Sequence, residues 1–136
     1  MRRTSKKEFY EWHDYESDIL CLAREIVRSK RKVANVFGIP RGGLIPAVSL
    51  SHLLGRPLIS DVSKISSATL IVDDIVESGA TLKRLLALVK GKKPFVAALY
   101  YYPKAMARPN LYLRKKRKWV VFPWETEKTS RYDHTI

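Results

Sequence analysis

The chain has 136 residues, enough for one domain with a single core that buries about two thirds of its unfolded surface without disulfides or a structural metal. Hydrophobic content is ordinary, no apolar run approaches the roughly 20 residues that span a bilayer, and the basic start lacks the continuous apolar segment of a signal peptide, so a soluble, cytoplasmic protein is expected. Twenty-six Lys and Arg against thirteen Asp and Glu leave a net charge of +13, which attracts polyanions and phosphorylated small molecules without choosing between nucleotide and nucleic acid.

Residues 18 to 28 place Ile19, Leu20, Leu22, Ala23, Ile26 and Val27 on one side of a predicted helix, with Asp14 or Ser17 as its cap. Cys21, the only cysteine, falls in that apolar pattern and reads as a buried thiol rather than a nucleophile. After a basic break at Ser29 to Lys32, Val33 to Gly38 reads as a buried strand, followed by the turn Ile39-Pro40-Arg41-Gly42-Gly43 and a helix from Leu44 to Leu54. Gly55-Arg56-Pro57 ends that helix, Leu58 to Ser60 is a short strand, and Asp61 to Ala68 connects to a strand beginning at Thr69. A helix after Thr81 runs to about Val89, Gly91 to Pro94 is a basic turn, and Phe95 to Tyr101 is another buried strand. Strands alternating with helices predict an α/β fold with a mainly parallel twisted sheet flanked by helices, whose ligands bind at the carboxyl ends of the strands. From Pro103 onward the periodicity fades, and the tail reads as an irregular hood over the site rather than more sheet. The reading is one domain over 1–136, with a core at about 33–102 and the hood at about 103–136.

Two turns at that strand edge carry chemistry. Pro40-Arg41-Gly42-Gly43 joins a cation to two residues that permit unusual backbone angles, so N–H groups can converge on a phosphate while Arg41 neutralises it. In Ile71-Val72-Asp73-Asp74-Ile75-Val76-Glu77-Ser78-Gly79-Ala80-Thr81, the paired acids fall where the strand is expected to end. Ser78 to Thr81 then open a helix whose free N–H groups can hold an anion. Asp73 and Asp74 are too close to act as a separated acid/base pair; they suit ribose hydroxyls and a divalent cation.

This second segment resembles the phosphoribosyl pyrophosphate (PRPP) motif of type I phosphoribosyltransferases. The resemblance implies that Arg41, Gly42 and Gly43 bind pyrophosphate. Asp73 and Asp74 would bind ribose, with Asp74 nearest a Mg2+ ion, and the loop from Ile75 and Val76 through Ser78, Gly79, Ala80 and Thr81 would hold the PRPP 5′-phosphate. Glu77 would accept a proton from the attacking purine or bond its N7; purine-salvage relatives usually carry Asp there. In the tail, Lys104-Ala105-Met106-Ala107-Arg108-Pro109 and then Trp119-Val120-Val121-Phe122-Pro123-Trp124-Glu125 resemble the end of bacterial xanthine-guanine phosphoribosyltransferases. By that resemblance Lys104 donates to the purine 6-oxo group, Trp119 stacks on the ring, and the Val120 backbone meets the 2-substituent.

The implied activity is Mg2+-dependent transfer of the phosphoribosyl group from PRPP to guanine, xanthine or hypoxanthine, by a homodimer or homotetramer engaged in purine salvage. The long mobile loop usual in such enzymes is reduced here to about Asp61 to Ala68, so a neighbouring subunit, the N-terminal basic segment or the run Arg114 to Lys118 would have to shield the site. That run reads equally as a solvated turn, and the basic clusters leave nucleic acid or an anionic membrane surface open as partners. Two further functions stay open on the sequence: a phosphoribosyltransferase for another base such as a pyrimidine, and a catalytically weak PRPP or nucleotide sensor that binds RNA.

Overall fold

The computed structural model describes residues 6–126 and 128–129. Its elements are β1 (Lys7–Phe9), α1 (Trp12–Arg28), β2 (Asn35–Gly38), α2 (Leu44–Leu54), β3 (Leu58–Ile59), a 3-10 turn (Val62–Lys64), β4 (Thr69–Val76), α3 (Ala80–Leu88), β5 (Phe95–Tyr101), β6 (Leu111–Lys115) and β7 (Trp119–Val121). Five strands form one parallel sheet in the order β3-β2-β4-β5-β6, and β1 pairs in parallel with β7 in a separate two-stranded sheet. The main sheet is covered on both faces, which is why β4 and β5 read as continuous apolar runs rather than as alternating ones. On one face Val36, Leu70, Val72, Ala97 and Leu99 pack with Ile19, Leu22 and Ile26 of α1 and with Ala47 and Leu50 of α2. On the other, Phe37, Ile71, Val96 and Ala98 pack with Leu82 and Leu85 of α3.

The helices, glycine turns and central strands lie where the periodicity puts them, and four expectations need correction. Helix α1 begins at Trp12, six residues before the apolar stripe. Its cap is Glu11, whose backbone N–H donates to Asp14 Oδ2 at 3.0 Å, so Asp14 sits in the first turn and Ser17 lies inside the helix. The buried stripe is also narrower than expected: Leu20 and Val27 are exposed, and Cys21 is an exposed rather than a buried thiol. Strand β4 does not stop at the acids but runs on to Val76. The long apolar β5 holds it in register, with Asp73 opposite Ala98, Ile75 opposite Tyr100 and Val76 opposite Tyr101.

The largest correction is the tail, which supplies two strands. β6 extends the main sheet, with Ala97 opposite Leu111 and Tyr101 opposite Lys115, and β7 pairs Trp119 with Lys7 and Val121 with Phe9. An edge strand tolerates basic side chains, and Arg114 is further compensated. Its guanidinium donates to both carboxylate oxygens of Asp18 at 2.7 and 3.3 Å and lies 5.2 Å from the Tyr10 ring centroid. The end of the expected hood, residues 130–136, and the N-terminal part of the first basic cluster, residues 2–5, lie outside the described residues.

Candidate active site

A cleft of about 550 Å³ opens at the carboxyl ends of β2 and β4, where two turns and the tail converge. The first turn follows β2. Gly43 N–H donates to Ile39 O at 2.9 Å and Leu44 N–H to Arg41 O at 3.0 Å, and the Pro40–Arg41 peptide is cis. Arg41 and Gly42 line the cleft, while Gly43 lies behind them as the N-cap of α2. Gly42 is required by closeness rather than by an unusual φ: a Cβ there would overlap Asp74 Oδ2 and stand 2.5 Å from the Asp74 carboxyl carbon. The two motifs identified in the sequence therefore touch backbone to carboxylate.

Asp73 and Asp74 both line the cleft, but in different surroundings. Asp74 is only 7% exposed; its Oδ1 accepts the Ile75 N–H at 2.8 Å and its Oδ2 accepts Trp124 Nε1–H at 3.3 Å. Asp73 is half-buried, and its Oδ1 accepts the Asp74 N–H at 2.9 Å. Trp124 is in turn held by aromatic packing: it stacks on Phe122 at 4.9 Å and meets the edges of Tyr10 and Tyr15 at 6.4 and 5.3 Å. Below it, Tyr10 OH donates to Asp18 at 2.7 Å, and Tyr100 OH donates to Glu8. Burial, and then the neighbouring carboxylate, push both phenols well above the ordinary tyrosine value, so they stay protonated donors.

The second turn leads into α3. Ser78 Oγ accepts the Ala80 N–H at 3.2 Å, and Gly79 adopts a left-handed φ of 83° as the N-cap. A Cβ on Gly79 would stand 2.6 Å from Ala107 N and 3.0 Å from Met106 N, because Met106 N–H donates to Ser78 O at 2.8 Å and seats the 102–110 loop against this turn. Ile75, Val76, Glu77, Ser78, Gly79 and Thr81 line the cleft, as do Trp119 and Val120. Ala80 is exposed beside the cleft without forming its wall. Lys104 is also exposed and is not among the lining residues. Lys64 of the short 61–68 connection is exposed and likewise not part of the wall.

Three contributions were not assigned from the sequence. Lys116 forms an ion pair with Glu77; it stood in the basic run without a partner in view. Trp124 bonds the buried acid, although its Pro-Trp-Glu context had already marked it. Ile45 adds apolar wall with no local signal to identify it, and Phe122 adds more, from within the tail motif but without a role assigned there.

Among the described residues no group of three or more His, Cys, Asp or Glu side chains is arranged to hold a metal. The hard oxygen donors of Asp73 and Asp74 nevertheless fit Mg2+, which keeps several waters and is commonly held by one or two carboxylates together with substrate phosphates. Among the described residues, no helix is long and apolar enough to cross a membrane.

Comparison with known proteins agrees with this geometry. The chain is 31% identical over 140 aligned positions to the xanthine-guanine phosphoribosyltransferase of Gluconobacter oxydans, covering 85% of this chain and 82% of that protein. Among solved structures, a purine phosphoribosyltransferase from Pyrococcus horikoshii superposes with a TM-score of 0.78 at 31% identity, covering 90% of this chain and 96% of the other. The xanthine-guanine-hypoxanthine enzyme of Helicobacter pylori shares the fold, with a TM-score of 0.74 at 22% identity over 92% of this chain and 97% of its own. No protein-family model matches the sequence.

Proposed function

Because the chain belongs to the purine phosphoribosyltransferase family, of xanthine-guanine type, we propose that it transfers the 5-phosphoribosyl group of PRPP to guanine, xanthine or hypoxanthine in purine salvage. The observation that carries this reading is the meeting of the two turns, Gly42 against Asp74, in a cleft whose far wall is Trp119 and Val120. Pyrophosphate, ribose and base each find suitable chemistry there.

In the proposed reaction a ring nitrogen of the base forms a bond to ribose C1 as the C1–O bond to pyrophosphate breaks, and the electron pair leaves with the diphosphate. Arg41 and the backbone of Gly42 receive the leaving group, with Gly43, whose N–H is bonded to Ile39 O, supporting them from behind as the N-cap of α2. Asp73 and Asp74 hold the ribose hydroxyls, and the turn from Ser78 to Thr81 holds the 5′-phosphate with its N–H groups. Positive charge builds on the sugar in the transition state, where the buried carboxylate of Asp74 favours it electrostatically. Glu77 takes the proton released by the base, Trp119 stacks on the ring, Val120 meets the 2-substituent, and Lys104 is added at the rim by the sequence resemblance. A Mg2+ ion at Asp73 and Asp74, when bound with PRPP, would neutralise the departing diphosphate.

Assembly as a homodimer or homotetramer is part of the proposal; the exposed apolar Leu44 and Val48, one turn apart on α2 beside the pyrophosphate turn, support it. So is a cytoplasmic setting and a single domain over 1–136. The test is to supply PRPP and Mg2+ with guanine, xanthine, hypoxanthine, adenine, uracil and orotate in turn, and to measure nucleotide and pyrophosphate. Turnover with 6-oxopurines that disappears in Asp74→Asn and without Mg2+ is expected. Preference for a pyrimidine would overturn the base assignment, and silence with every base despite PRPP binding would overturn the transfer reaction.

A further inference from the structure

The cleft occupies the carboxyl edge of the main sheet, and the opposite edge, where the chain enters the strands, has a different chemistry. Lys30, Arg31 and Lys32 lead into β2, Arg56 into β3, and Lys90, Lys92 and Lys93 into β5. No acidic residue occurs between Glu25 and Asp61 or between Glu77 and Glu125, and the turn into β4, Ile65 to Ala68, has none either. Because β3, β2, β4 and β5 are neighbours, the four turns lie side by side over roughly 14 Å at about 4.8 Å per strand. The carboxyl ends of α1, α2 and α3 reach the same edge, but at about half a negative charge each they offset only a small part of these cations. Three of the cations brace the surface. Arg31 Nη2 donates to Lys93 O at 3.2 Å, Arg56 Nε to Val33 O at 2.7 Å, and Lys92 Nζ to Ile65 O at 2.8 Å, so the turns before β2, β3, β4 and β5 are all tied together. The other four, Lys30, Lys32, Lys90 and Lys93, are exposed, and no ion pair among the described residues reaches them. In the run after Leu113, by contrast, Arg114 is paired with Asp18 and Lys116 with Glu77.

We propose that this edge binds the phosphate backbone of a nucleic-acid duplex without reading its bases. Four uncompensated ammonium groups on a braced surface suit a regular row of phosphates, and such contacts position a duplex without carrying sequence information. A single strand is the poorer fit, because it calls for exposed aromatic rings on which bases stack. The one aromatic side chain beside these turns, Phe95, is buried, with the Arg31 guanidinium 4.8 Å from its ring centroid. An anionic lipid surface is also the poorer fit, because it calls for apolar side chains that enter it. On these turns Ile65, Val89 and Pro94 are buried and Val33 is half-buried. Val27 and Leu88 are exposed near the ends of α1 and α3, but those helices pack on opposite faces of the sheet, so the two side chains form no common patch. The duplex would lie on the far side of the sheet from the cleft, leaving the cleft open.

The experiment measures binding of the full chain to labelled RNA and DNA duplexes of about 20 base pairs, by fluorescence anisotropy, between about 50 and 200 mM KCl. Four phosphate contacts at about −0.9 each give a slope of log affinity on log salt of about −3.6, so wild-type affinity should fall about 100-fold across that range. Lys30→Gln/Lys32→Gln and Lys90→Gln/Lys93→Gln should each halve the slope, leaving a fall of about 10-fold, and should weaken binding to all duplex sequences alike. The quadruple variant should bind with almost no salt dependence. A control, Arg24→Gln/Lys115→Gln/Arg117→Gln/Lys118→Gln, removes the same number of charges from exposed positions elsewhere and should keep the wild-type slope. Circular dichroism checks each fold, and the two double variants decide the matter if the quadruple variant does not fold. Absence of duplex binding by the wild type, a marked preference for one duplex sequence, or an equal loss in the control would overturn the proposal. So would a loss of binding to phosphatidylserine vesicles in the Lys30, Lys32, Lys90 and Lys93 variants with duplex binding unchanged, which would give the surface to a membrane. None of these readings depends on turnover, so the transfer reaction stands or falls separately.

Discussion

Replacing Gly42 by alanine tests whether the two motifs really interlock. Gly42 does not adopt a left-handed φ, so alanine suits its backbone and the only obstacle is contact: the new methyl would overlap Asp74 Oδ2 and press on the carboxyl carbon. Asp74 has little room to retreat, being buried and bonded at 2.8 Å to the Ile75 N–H and at 3.3 Å to Trp124. Overpacking of this kind costs about 1–3 kcal/mol. For a chain of this size that lowers the melting temperature by about 4–10 °C. A displacement of Asp74 by about 1 Å is enough to lower transfer on the order of 100-fold. Melting followed by circular dichroism and pyrophosphate release give the two readouts, and the double variant Gly42→Ala/Asp74→Ala separates them. Removing the carboxylate makes room for the methyl, so the double variant should melt closer to the wild type than the sum of the single effects, while activity stays lost. A Gly42→Ala protein that melts with the wild type and keeps its activity would refute the interlock.

Two further outcomes follow from the shell beneath the site. Trp124→Phe keeps most of the aromatic packing but removes the donor to Asp74. A hydrogen bond to a charged group contributes about 1.5–3 kcal/mol, and the 3.3 Å length argues for the lower end, so the PRPP KM should rise about 10-fold; an unchanged KM would show that Trp124 only packs. The raised phenols of Tyr10 and Tyr100 set an alkaline limit. A group whose folded pKa lies above its unfolded value of about 10 stabilises fully below that pH and loses its contribution as pH rises through the folded value. Stability should therefore decline above about pH 10, less steeply in Tyr10→Phe; identical slopes in the two proteins would contradict it.

What was legible in the sequence is what is local. The order strand, glycine turn, helix, strand, paired acids, glycine turn and helix needs only neighbouring residues, and both turns lie where that order places them. What escaped notice depends on partners distant in the chain. Arg114 to Lys118 reads as a solvated run until Asp18 is brought to Arg114 and Glu77 to Lys116; with those charges compensated, the segment can complete β6 and reach a residue of the cleft. β7 is three residues long and gains its register only from β1, more than a hundred residues earlier. Helix α1 was misjudged at its start because its first turn is capped by Glu11 and Asp14 and carries few apolar residues. Its apolar count also exceeded what the sheet covers, leaving Leu20 and Val27 in solvent.

The charge distribution joins the fold to the proposed chemistry. No acidic residue occurs between Glu25 and Asp61, or between Glu77 and Glu125, so the +13 chain confines its acids to a few places, and four of them, Asp73, Asp74, Glu77 and Glu125, line one cleft. A uniformly cationic cleft would bind PRPP and then hold pyrophosphate against release. Carboxylates at the centre of a basic molecule divide the work: the surrounding field draws a polyanionic substrate in, while the local acids leave room for a divalent cation and for the positive charge that builds on ribose. The long-range part is screened over about 10 Å at moderate salt and the buried part much less. Rising ionic strength should therefore raise the PRPP KM more than it lowers kcat.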